Sequence, residues 1–140
     1  MSKPIKALIL KWYLRVFALV QFCLWGLTHT FFPKWYAIEI AKKDPAIINN
    51  DTILMINEIG IAILALSIAT WIAASKPVKH FPVILMIYIN GIGSIIATLY
   101  HILIRHASSE WSHVFTVFLL LLIMTILYPW KELRQKEVEN

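Results

Sequence analysis

A small set of side chains, embedded in long apolar runs, could bind a metal, move a proton or hold a polar ligand: Gln21, His29, Asn57, Glu58, Asn90, His101 and His113. Imidazole with carboxylate suits zinc, copper, iron or manganese, and His29, Glu58, His101 and His113 are the candidate ligands. A histidine pair, His29 with His101 or His113, would suit haem iron. Glu58 and His101, with Asn57, Asn90 and Gln21, could form the hydrogen-bonding ends of a pocket for a quinone, a lipid headgroup or a small apolar ligand. A fourth reading needs no cofactor. Glu, His and Asn side chains would satisfy one another and fix the register of the helices that carry them, and this is the simplest of the four.

The spacings give little support to catalysis. No HxxxH or HExxH pattern occurs, and His101 and His106 fall on different helical faces. Gly91-x-Gly93 lacks both a third glycine and a preceding strand, so it is not a dinucleotide loop. No Ser or Cys nucleophile has a base and an orienting partner. A membrane enzyme using Glu58 as acid or base on a lipid or sterol-like substrate is the one catalytic reading. A non-catalytic protein is expected.

The elements that position these groups follow from composition. The chain of 140 residues is 59% hydrophobic and 15% charged, with a mean hydropathy of +0.70. Soluble domains carry about 45–50% apolar and about 25% charged residues, so the apolar excess must face lipid. Four runs, roughly 11–32, 53–74, 81–104 and 112–128, approach the length of about 20 residues that a spanning helix needs. Backbone groups find no partners in lipid, and the runs lack strand alternation, so helices are predicted. With short connections other than the outer loop 33–52, the expectation is a single all-α domain: an up-down-up-down bundle of four transmembrane helices. Trp35 and Tyr36 in that loop suit an interfacial segment at headgroup level.

Helical spacing groups the polar residues. Asn90, Ser94, Ala97 and His101 share one face, and Glu58, Ala62, Ala65 and Ala69 another. Gln21, Trp25 and Thr28 form a third with His29 beside it, and His113, Thr116 and Leu120 a weaker fourth. The alanines suit a packing seam. At about 1.5 Å per residue, Glu58 lies roughly 8 Å and His101 roughly 5 Å inside the outer helix ends. His29 and His113 reach a similar depth. Each helix thus brings an ionisable group to the outer third, with His106 and Glu110 in the loop above.

Lys and Arg distribution sets the expected orientation. Lys3, Lys6, Lys11, Lys76, Lys79, Lys131, Arg134 and Lys136 fall on one side, against Lys34, Lys42, Lys43 and Arg105 on the other. Both termini are therefore expected in the cytoplasm, with Arg15 snorkelling toward the basic side. The net charge of +5 reads as a topology signal and an attraction to anionic lipid; nucleic acid is not an expected partner. Lys11 and Arg15 interrupt the early apolar run and no small-x-small cleavage site follows, so the N-terminus reads as a retained helix. Cys23 is the single cysteine, which excludes an intrachain disulfide. Asn50-Asp51-Thr52 matches a glycosylation sequon that abuts the second helix.

The first run, "LRVFALVQFCLWGLTHTFFP", has Arg15 near its start, Gly26 near its end and an aromatic-Pro step. The second opens "NEIGIAILAL". Together they resemble the DoxX-like group of small four-helix bacterial membrane proteins. Members typically carry more glycine after the glutamate, where this chain has only Gly60, and a shorter first loop. The resemblance implies a four-helix bundle in a bacterial inner membrane, sometimes associated with redox or quinone-linked complexes. The expected role is an accessory subunit contacting lipid and other membrane subunits, or a second copy of itself.

Overall fold

The computed structural model describes residues 3–41, 43–104 and 111–132. Lys42, Arg105, His106, Glu110, Arg134 and Lys136 lie outside the described residues, as do the side chains of Lys3 and His101. The described residues are helical and contain no strand. In order they form α1 (Lys3–Val20), a π-helical segment (Gln21–Gly26), α2 (Leu27–Phe31), α3 (Pro33–Trp35), a second π segment (Tyr36–Ile40) and a 3-10 turn (Pro45–Ile47). Then come α4 (Asn50–Ala73), α5 (Phe81–Leu103) and α6 (Trp111–Leu127).

Among the described residues, three stretches are long and apolar enough to cross a membrane: Ile5–Phe31, Asn50–Ala73 and Phe81–Tyr100. This is the character of an integral membrane protein. The first helix begins at Lys3 rather than near residue 11. Pro4 is tolerated in a first turn, and the lysine stems can lie along apolar surface without ending the helix. At 27 residues the first stretch is about 40 Å long, more than the roughly 30 Å of hydrocarbon it would cross. The fourth run forms a helix of 17 residues, at the short end of the spanning range of about 17–25.

Helix ends follow local chemistry. Asn49 caps α4 through its side-chain oxygen, which accepts from the Thr52 N–H (2.8 Å) and the Thr52 hydroxyl (2.9 Å). The sequon threonine is thereby engaged in a cap, and Asn50 is the first helical residue. Asp44 caps the 3-10 turn by accepting from Ala46 N–H at 2.9 Å. Proline lies in the first turn of α3, the 3-10 turn and α5, where a missing N–H costs little. The outer loop has helical backbone from Pro33 through Ile40.

By packing, the chain divides into two compact units: residues up to Tyr13 with those from Ser75 on, and Leu14–Ala74. In the first, α5 and α6 run antiparallel. Gly91 lies against Leu121, the Tyr88 hydroxyl shares a hydrogen bond with Thr125 Oγ1 (2.8 Å), and Ser94 Oγ meets His113 Nε2 (2.8 Å). Tyr13 Oη donates to the Leu120 carbonyl (2.7 Å), and Ile84, Ile87, Met124 and Leu127 are buried. Of the predicted α5 face, Ser94 meets α6, whereas Asn90 and Ala97 are exposed.

In the second unit α4 runs antiparallel along the first helical stretch. The contact face is Asn57, Gly60, Leu64, Ser67 and Trp71, not the predicted face of Glu58, Ala62, Ala65 and Ala69. Glu58, Ala62 and Ala65 are exposed. Gly60 sits against Thr30 and His29, Leu64 against Gly26, and the buried Ser67 near Ala18, Leu19 and Phe22. Arg15 lies over the Trp71 ring, 5.2 Å from its centroid, a cation–π contact. Ser67 and Thr70 satisfy their hydroxyls on their own helix by donating to the Ile63 and Leu66 carbonyls, each at 2.7 Å.

Two glycines distinguish contact from open face. A Cβ on Gly60 would lie 2.6 Å from the Thr30 backbone nitrogen, which cannot move aside, whereas one on Gly93 meets nothing within 4 Å. Gly60→Ala is expected to lower stability by about 1–3 kcal/mol through overpacking. Gly93→Ala is expected to be neutral or to gain up to about 1 kcal/mol in helix propensity. Thermal unfolding in detergent checks both, and equal Tm values for the two variants would contradict this packing.

Candidate polar site around His29

In an uninterrupted helix the His29 carbonyl would accept the N–H of residue 33. That residue is proline and has no N–H to give. The backbone breaks one residue earlier, at Phe32 (φ −132°, ψ 48°). A carbonyl stranded at membrane depth must find another donor. Asn57 supplies it: with its amide nitrogen turned toward α2, it donates to the carbonyls of His29 (3.0 Å) and Thr30 (3.3 Å). Gly60, one turn on, lets the two backbones approach closely enough for that reach.

The other side of His29 is shaped by the π segment Gln21–Gly26. Its wider turn is visible in the Leu27 N–H, which donates to Phe22, five residues back. The Leu24 and Trp25 carbonyls receive side-chain donors: Thr28 Oγ1 donates to Leu24, and His29 Nδ1 lies 2.6 Å from the Trp25 carbonyl. A carbonyl can only accept, so Nδ1 carries the hydrogen. In the neutral ring Nε2 then keeps the lone pair, the form that ligates metals or accepts from a ligand hydroxyl. The imidazole is buried and tilted against Tyr36, with ring centroids 3.7 Å apart. Two π segments therefore flank one buried histidine, and such segments often mark functional positions.

The remaining candidates separate. Asn57 joins His29 through the backbone. Gln21 lies in the first π segment, and its Oε1 is buried without a hydrogen-bond partner, as is Thr30 Oγ1 beside Gly60. Glu58 and Asn90 are exposed on α4 and α5. His113 is exposed, bonded to Ser94. His101 lies on α5 by its backbone. Among the described residues, no three His, Cys, Asp or Glu side chains are grouped to hold a metal.

Sequence reasoning placed Thr28 beside His29 but missed Thr30, Tyr36 and Gly60 as parts of this arrangement. The signal was present in Pro33, because a proline four residues after any helical residue strips that residue's carbonyl of its donor. Comparisons with protein-family models, curated proteins and solved structures give no match to this chain.

His29→Phe preserves a ring against Tyr36 and removes the donor to Trp25. A loss of about 0.5–1.5 kcal/mol is expected, the worth of one hydrogen bond, since the Trp25 carbonyl keeps the longer contact from Thr28 Oγ1 (3.3 Å). Chemical denaturation in mixed micelles measures it, and an unchanged midpoint would show that the Trp25 carbonyl does not depend on His29.

Proposed function

We propose that this chain is a non-catalytic accessory subunit of a larger membrane complex, built as an up-down-up-down bundle of four transmembrane helices. The observation that carries the reading is the pair of exposed faces. α4 leaves Glu58, Ala62 and Ala65 uncovered, and α5 leaves Asn90, Gly93 and Ala97 uncovered. Polar side chains in spanning helices are costly against lipid and usually face other helices or a water-filled cavity. Small residues beside them allow close helix approach, so the combination suits helix–helix association. The lysine distribution supports cytoplasmic termini. The resemblance of the first two helices to the DoxX-like group supports a bacterial inner membrane and a redox complex.

A second reading follows from His29, whose Nε2 lone pair could serve a quinone, haem or metal ion. Purified protein would then carry a visible spectrum, an extractable quinone or bound metal, and His29→Gln would lose it.

Gentle detergent extraction tests the leading reading. The chain is expected to elute with a stoichiometric membrane partner, or as an oligomer of itself, and Ala65→Trp is expected to release it. A monodisperse monomer from the native membrane would contradict the proposal.

A further inference from the structure

At one end of the first unit, the start of α1, the turn before α5 and the end of α6 enclose a cleft of about 950 Å³. Its floor is apolar, with Leu10 and Leu127 buried and Ala7, Val78 and Ile126 around them. Among the described residues, four lysines line it, Lys6, Lys76, Lys79 and Lys131, against one carboxylate, Glu132. Aromatic rings stiffen the wall. Tyr128 and Trp130 lie 4.7 Å apart by centroid, with Phe81 5.9 Å from Tyr128 and 6.4 Å from Trp130. Trp130 Nε1 donates to the Thr125 carbonyl (2.9 Å) and Tyr128 Oη to the Pro77 carbonyl (3.3 Å), which tie the wall to α6 and to the turn.

An apolar floor under a ring of ammonium groups matches an anionic amphiphile. The volume falls within the usual range of small-molecule sites, about 300–1,000 Å³. With the helices in a bilayer the cleft would lie at the headgroup layer, since Lys76 and Lys79 fall in the turn before α5 and Lys131 beyond the apolar end of α6. Aromatic residues with interfacial lysines are the residue types that anchor at that depth. From this charge complementarity we infer that the cleft is a saturable site for one anionic phospholipid, its headgroup phosphate held by the lysines and the start of an acyl chain lying on Ala7 and Ile126. This goes beyond general attraction of a basic surface to acidic membranes, because it requires a shaped floor as well as charge.

Native mass spectrometry of the delipidated full chain tests the inference, with add-back of phosphatidylglycerol or phosphatidylcholine. One phosphatidylglycerol per chain is expected to be retained in preference to phosphatidylcholine. Lys76→Gln/Lys79→Gln/Lys131→Gln is expected to weaken retention about tenfold to a hundredfold, in line with the worth of each interfacial lysine. Ala7→Trp, which keeps every lysine and fills the floor, should weaken it similarly, while Lys34→Gln/Lys43→Gln should not. Equal retention of the two lipids would overturn the inference. So would an unaltered Ala7→Trp, which would reduce the effect to surface charge, or displacement by millimolar inorganic phosphate, which would mark a free-phosphate site.

Discussion

Pro33 removes the one backbone N–H that could reach the His29 carbonyl along its own helix, and lipid offers no water in its place. Much of the Leu14–Ala74 unit can be understood from that missing donor. The carbonyl needs a partner from outside the helix, Asn57 brings one across from α4, and Gly60 is the residue that admits α4 to within reach. The same principle acts one turn earlier, where the π segment is met by Thr28 and His29 side chains donating back to Leu24 and Trp25. Polar residues here serve the backbone first.

This ordering decides which face of α4 is turned inward. Asn57 and Gly60 lie on one side and continue through Leu64 and Ser67, so Glu58, its neighbour in sequence, is carried round to the exposed side with Ala62 and Ala65. Asn57 and Glu58 are adjacent polar residues with different fates. The amide closes a gap in the protein's own backbone. The carboxylate, beside small residues, is left for whatever packs next to it, which is the ground for reading the chain as part of a larger assembly.

The sequence made the helices legible because a run of about 20 apolar residues has few alternatives. Their limits were less so: Lys6 and Lys11 looked like boundaries, although flexible stems let a helix run past them. Periodicity grouped Glu58 with Ala62, Ala65 and Ala69 as one face and pointed it inward, whereas Glu58, Ala62 and Ala65 are exposed. On α4 nearly every side chain is apolar, so burial gives the helix no strong orientation, and the choice passes to hydrogen bonding and to the close approach at Gly60. His29 was legible as a candidate by type and depth. Its partners were less so: the tie to Trp25 runs through a main-chain carbonyl, which leaves no mark in residue identity, and the need for Asn57 was signalled only indirectly, by Pro33. The bond between Ser94 and His113 joins two of the predicted faces and was closer to reach.

Whether Asn57 compensates for the N–H missing at Pro33 is decided by a double-mutant cycle. Unfolding free energies in micelles would be measured for the native chain, Asn57→Leu, Pro33→Ala and the double variant. Asn57→Leu is expected to cost about 1–3 kcal/mol when Pro33 is present. It costs markedly less in the Pro33→Ala background, where the alanine N–H can take over the His29 carbonyl. Additivity of the two substitutions within about 0.5 kcal/mol, the behaviour of independent sites, would contradict it.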